Sequence, residues 1–273
     1  MDIKIKKYRL LLGAVLLAAG SLSITSLGLG RAQTEEERAA KGPGVVCETS
    51  AAETEGLELA QETEQPSPVV ENGRLVPERL SGAEGADQLI VVVGTGGCSA
   101  DISYYRKNRE EGWNLVWKEG GVVGRGGITP DKREGDKKTP SGTYQLTMAF
   151  GLKEDPGSIL PYHKIVKGDY WVDDGASSYY NKLVNTGEIP KSWNSAENML
   201  SSSPYYNYGL ALNYNPDCVP GMGSAIFLHC FTATPDNGSA GCIRLPEERV
   251  MELVQSATER TRIVIAPDLE QLR

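Results

Sequence analysis

Two side chains in the stretch FLHCFTATPDNGSAGCIRLP, residues 227–246, could serve as a nucleophile and its base: Cys242 and His229. A thiolate beside an imidazole has a lowered pKa and can attack a carbonyl carbon near neutral pH. The segment between them, TATPDNGSAG, is polar and rich in turn formers. A strand, a turn and a return would therefore bring both side chains to one sheet end. Ser239, Ala240 and Gly241 directly precede the thiol. The glycine leaves the backbone open, so amides around residues 240–242 could face a developing oxyanion. These are the parts that an acyl transfer needs.

Other chemistries lack their residues. Only His163 and His229 are available, too few for the set spacing of a zinc peptidase. His229, Cys230 and Cys242 are metal-ligating residue types, but no C-x-x-C or H-E-x-x-H accompanies them. Neither a metal nor an organic cofactor is expected. The chain has no G-x-S-x-G, no S-x-x-K and no phosphate loop, which leaves the cysteine as the nucleophile. His163, in PYHKIVKGDYW, reads as a surface or packing residue. GVVGRGG (121–127) reads as a turn between strands.

The compartment bears on how a thiol is used. MDIKIKKYR is basic, LLLGAVLLAAG is apolar, and small and polar residues follow, which is the layout of a secretory signal peptide. The run from Leu10 to Gly30 is also long enough for a membrane anchor. Residues 1–33 are thus expected to be a signal peptide or an anchor, with the rest exported to an extracytoplasmic, cell-wall location. Between 34 and 66, nine glutamates stand against Arg38 and Lys41, a net of −7 with no aromatic residue. Such a segment cannot bury enough apolar surface to fold, and 34–87 is expected to be a disordered tether. What remains is mildly acidic, which argues against nucleic-acid binding. Of five cysteines, Cys98 and Cys218 could pair, and at least one thiol stays unpaired within the monomer.

The folded domain is expected at 88–268. QLIVVVG reads as a buried strand, and DISYYRK, WNLVWKEGG and GTYQLTMAFG follow as further strands. YNYGLALNYN, SAIFLHC and RIVIAP complete the set, with one helix at LPEERVMELVQSAT. Many short strands, 31 glycines and little helix predict a mainly β domain, a sandwich or barrel with few helices.

EGDKKTPSGTY (134–144) paired with IFLH…SAGCIRL (226–245) resembles the L,D-transpeptidase catalytic domain of bacterial cell-wall enzymes, over roughly residues 88–268. Asp136, Thr139, Pro140 and Gly142 match the D-x-x-T-P-x-G segment, and His229, Ser239, Gly241 and Cys242 match the nucleophile motif. The resemblance implies Cys242 as nucleophile and His229 as base, the backbone carbonyl of Cys230 orienting the imidazole. It also implies that Ser239, Ala240 and Gly241 shape the oxyanion site and that Arg244 orients the motif or binds a substrate carboxylate. Trp171, Asp173, Asp174 and Tyr180 are further residues that could line the cleft. The implied substrates are peptidoglycan stem peptides, joined by 3→3 cross-links through a thioester, with carbapenem-type inhibitors acylating the same thiol. An L,D-carboxypeptidase and a non-catalytic wall-binding module are the alternatives. Ala240 stands where many members have histidine, and the thirteen-residue spacing from His229 to Cys242 is short for the family.

Overall fold

QLIVVVG is apolar at every position from Leu89 to Val93, so both faces of the strand it forms need cover. In the computed structural model, which describes residues 69–231 and 237–273, one face is covered by the residues just before it. β1 (Val70–Glu71) and β2 (Arg74–Leu75) form a short hairpin. A 3-10 turn at Pro77–Arg79 then leads into buried Leu80, Ala83 and Ala86. These residues pack with Leu89 and Val91 of β3 (Gln88–Gly96), and with Val264, Ala266 and Leu272 from the end of the chain. Ile90 and Val92, at the alternate positions, enter the main core. The described fold therefore starts at Val69 rather than near Gln88. The last part of the span read as a tether is folded, because a strand with two apolar faces recruits its cover from whatever small apolar residues adjoin it. The leader (1–33) and the acidic stretch (34–66) lie outside the described residues. Among the described residues, no helix is long and apolar enough to cross a membrane.

β4 (Ser99–Asn108) and β5 (Gly112–Val122) continue from β3 as an antiparallel meander. Two very short strands, β6 (Ile128–Thr129) and β7 (Thr139–Pro140), pair in parallel across the base of the polar loop. β8 (Gly142–Gly151) and β9 (Tyr162–Lys164) follow. A small antiparallel sheet comes next, with β10 (Asp169–Val172) between β11 (Leu183–Asn185) and β12 (Ala196–Asn198). The chain ends with β13 (Gly209–Leu212), β14 (Phe227–Cys230), β15 (Ile243–Leu245), α1 (Glu247–Ser256) and β16 (Thr261–Ala266).

The main sheet runs β13-β14-β15-β5-β4-β3-β16-β8-β9. It closes on itself because β8 pairs with β16 through residues 142–145 and with β13 through residues 146–150. Closure removes the free strand edges that an open sheet would carry. Among the described residues, strand accounts for 40% and helix for 8%, so the fold is mainly β, as expected. Val250, Leu253 and Val254 recur at helical spacing and turn α1 into the core with Leu228, Ile243 and Leu245. Pro246 stands just before the first turn of α1, where its missing N–H costs no helix bond. No disulfide joins Cys98 to Cys218. Cys98 lies at the β3–β4 turn, and the Cys218 Sγ sits 3.7 Å from the Pro216 carbonyl.

Candidate active site

The alternation of two adjacent strands builds the site. β14 and β15 run parallel, with His229 opposite Arg244 and Leu228 opposite Ile243. Leu228, Cys230, Ile243 and Leu245 point into the barrel core. Phe227, His229, Cys242 and Arg244 occupy the other face, where Phe227 and Cys242 join a second apolar cluster. His229, Cys242 and Arg244 all line one cavity of about 500 Å³. Ser239, Ala240 and Gly241 line it too, so the expected site residues converge, apart from the side chain of Cys230.

That exception follows from strand parity. The Cys230 thiol is buried in the core and faces the Tyr208 carbonyl at 3.4 Å. Its backbone oxygen, however, lies 2.8 Å from His229 Nδ1. A carbonyl can only accept, so Nδ1 donates, and in the neutral ring Nε2 is left as the basic nitrogen. The ring is braced by Tyr206, packed edge-on with centroids 5.0 Å apart, and by Tyr205 at 6.1 Å. Tyr206 in turn packs edge-on against Phe150 and Phe227, and its hydroxyl donates to Glu197 at 2.5 Å. On β13, Gly209 stands in register with both His229 and Phe150. A Cβ there would come within 2.4 Å of the Phe150 ring.

Cys242 is buried, and its Sγ donates to the Ala225 carbonyl at 3.2 Å. Desolvation pushes the thiol up to about 12, and the charge of Glu197 pushes the same way. The Phe227 amide, Arg244 and Lys132 oppose this without overcoming it. The lowered pKa expected of a cysteine near a histidine is therefore not what the resting site has. Burial outweighs the nearby positive charges, and the sulfur is held as a thiol.

The turn into Cys242 is fastened from two directions. Ser239 Oγ donates to the Cys242 carbonyl at 2.6 Å and accepts from the Gly241 amide at 2.9 Å. The Gly241 amide is thus engaged by the serine. Thr139, fully buried, donates to the Gly241 carbonyl at 2.8 Å and accepts from the Gly124 amide at 2.8 Å. The T-P-x-G segment is the clamp that holds the cysteine turn. GVVGRGG is more than a turn between strands: Gly124 bridges to Ser239, and a Cβ on it would lie 2.6 Å from the Lys137 carbonyl. Gly241 has φ +154°, and its Cβ would meet the Lys138 carbonyl at 3.0 Å.

The loop before β7 supplies the cavity residues Lys132, Glu134, Gly135 and Lys137. The Lys132 side chain is only 3% exposed, and its Nζ donates to Asp136 at 2.6 Å and to the Arg133 carbonyl at 2.8 Å. Desolvation pushes the Asp136 carboxyl up, but Lys132 and the amides of Arg133 and Lys138 together hold it below its usual range. Glu134 accepts from the hydroxyls of Tyr180 and Ser224. The small sheet adds Asp173 and Glu197 to the cavity. Arg244 lies over the Tyr205 ring at 4.7 Å.

Of the four further cleft candidates, Asp173 lines the cavity and the other three build its support. Trp171 packs edge-on against Phe227 at 4.7 Å, Tyr180 ties Glu134 to the Gly223 amide, and Asp174 accepts from the amides of Ala176 and Asn194. His163 Nε2 meets Asp169 at 2.8 Å, a bond that joins β9 to β10 away from the cysteine. Lys132, Glu197, Tyr205 and Tyr206 were not expected here. Lys132, Glu197 and Tyr205 lie in polar stretches with no periodicity, Tyr206 opens the segment read as a strand, and only the fold brings them to the cysteine. Among the described residues, no three of His, Cys, Asp and Glu converge as metal ligands.

Residues 99–265 match the family model of the YkuD L,D-transpeptidase catalytic domain, and the chain belongs to this family. Among solved structures, it is similar to the helical cell shape determining protein Pgp2 from Campylobacter jejuni, with 18% identity, TM-score 0.36, and coverage of 67% of this chain and 49% of that one. It is also similar to a mutant of the Enterococcus faecium L,D-transpeptidase, with 14% identity, TM-score 0.33, and coverage of 66% and 50%. The Stackebrandtia nassauensis L,D-transpeptidase is a third, with 13% identity, TM-score 0.30, and coverage of 67% and 56%. The chain spans about half the length of these proteins. No curated protein matches it.

Proposed function

We propose that this chain is a peptidoglycan L,D-transpeptidase acting outside the cytoplasm, with Cys242 as nucleophile and His229 as base. The observation that carries this reading is the shared strand face. It places Cys242, His229 and Arg244 in one cavity, with the His229 Nδ1 proton committed to the Cys230 carbonyl. The substrate is a stem peptide whose third residue presents the carbonyl of an L-centre and whose last residue is D-alanine.

A thiol held near pKa 12 would cost about 7 kcal/mol to ionise on its own at pH 7. Proton transfer to His229 Nε2 is therefore coupled to attack rather than completed before it. The Sγ–C bond forms, the carbonyl oxygen takes the charge beside the amides of Ala240 and Cys242, and the C–N bond breaks as Nε2 protonates the departing amine. A side-chain amine of a second stem then attacks the thioester. The C–S bond breaks, and the result is a 3→3 cross-link. Arg244, which lines the cavity, receives a substrate carboxylate.

Intact mass of the protein after incubation with a carbapenem tests this reading. The expected result is one covalent adduct on the wild type and none on Cys242→Ala. An adduct that persists in the variant would move the nucleophile elsewhere, and a folded wild type that stays unmodified would remove the catalytic reading.

A further inference from the structure

One wall of the cavity carries negative charge that the reaction above does not use. Glu197 sits on β12 directly opposite Trp171 of β10, and Asp173 lies two positions beyond Trp171. Asp173 follows the last residue of β10, and both carboxylates line the cavity beside the cysteine. Asp173 Oδ1 is enclosed and has no hydrogen-bond partner. Glu197 accepts one bond, from Tyr206. Burial pushes the Glu197 carboxyl up and the charge of Asp173 adds to this, against the Tyr206 hydrogen bond and the charge of Arg244. Lys132 is committed to Asp136, and Lys137 is exposed at the rim. An enclosed carboxylate oxygen without a donor, beside a second carboxylate, calls for a cation.

We propose that Asp173 and Glu197 form an ammonium-binding wall that holds the acceptor amine of the second stem beside Cys242, an assignment that rests on the transpeptidase reading. The departing D-alanine leaves as a zwitterion whose carboxylate offsets the pull on its ammonium, so the wall holds the side-chain ammonium of the acceptor in preference to it. The charge of Glu197 is felt at the Cys242 sulfur, so an ammonium held there lies next to the thioester. In the second step the N–C bond forms and the C–S bond breaks. Of the two protons the ammonium gives up, one returns to Sγ through His229 and the other goes to bulk water. The wall thereby favours amine over water as acceptor.

The test is a product ratio, which does not depend on how fast the acyl-enzyme forms. Wild type, Asp173→Asn and Glu197→Gln are supplied with a stem tetrapeptide as donor and a stem tripeptide bearing a side-chain amine as acceptor. Cross-linked and trimmed products are then counted by mass. Each variant is expected to lower the ratio of cross-linked to trimmed product by roughly ten- to a hundredfold, the scale of one lost charge-assisted hydrogen bond. With hydroxylamine, which is neutral at pH 7.5, as acceptor, the ratio to hydrolysis is expected to stay at the wild-type value. An unchanged ratio in Asp173→Asn, or equal losses for charged and neutral acceptors, overturns the wall and leaves the transpeptidase reading standing. A wild type that consumes no donor overturns both.

Discussion

At the scale of single residues, the proposed nucleophile is buried and holds its proton in the resting site. Because desolvation holds the Cys242 thiol near 12, its thiolate fraction rises tenfold with each pH unit up to about pH 11. Alkylation of Cys242 by iodoacetamide, followed by peptide mass, should climb through that whole window. A plateau near pH 9 would mean that burial does not control the thiol. The sign for stability runs the same way: the folded pKa is raised, so any contribution is complete below the unfolded value of 9 and is lost as pH rises towards 12. Cys230 makes a complementary case. Its carbonyl orients His229 while its thiol sits in the core, so Cys230→Ala should keep activity within a few-fold and cost about 1 kcal/mol in denaturant unfolding. A loss of activity a hundredfold or greater would give the thiol itself a role.

At the scale of elements, the cysteine turn depends on partners far away in sequence. Thr139→Val removes the hydroxyl that joins the Gly124 amide to the Gly241 carbonyl, leaving two buried backbone groups unpaired. A cost of roughly 2–4 kcal/mol is expected by urea unfolding, together with slower acylation by a carbapenem. If the variant is as stable and as fast as wild type, the clamp is not needed. Trp171→Ala should cost about 3–5 kcal/mol, since the indole joins the small sheet to Phe227. The long alternating strands, such as GTYQLTMAFG, were legible from sequence because both period and length were on view. β9 to β12 were not, because strands of three or four residues with mixed polarity carry no period and exist only through their neighbours. The site divides the same way. The cysteine motif could be read directly, whereas Tyr206 and Glu197 act through packing that no local pattern announces.

At the scale of the molecule, the segment ahead of β3 is a structural part of the domain. Leu80, Ala83 and Ala86 cover Leu89 and Val91, so a chain beginning at Gln88 would expose that face. Such a chain should aggregate or unfold, and Leu80→Ala in the full protein should lower stability by about 2–5 kcal/mol. Equal thermal midpoints for chains starting at Val69 and at Gln88 would show the cover to be dispensable. QLIVVVG is the first segment with a clear strand pattern, whereas SGAEGAD (81–87) ahead of it carries no period. Its alanines are small, and they matter only because β3 has two apolar faces to fill.

The parallel pairing of β14 with β15 also bears on how this site could diversify. The register of His229 opposite Arg244 is set by the ladder, with Phe231 bonded to Leu245 on one side of the connection and Ser239 tied to Val123 on the other. The separation of base and nucleophile in space is thus uncoupled from their separation along the chain. The length of the connection is therefore expected to leave the reactivity of Cys242 unchanged, which carbapenem acylation of a lengthened variant would check. Lineages, or engineers, can lengthen it to add new recognition at the rim without retuning the catalytic pair.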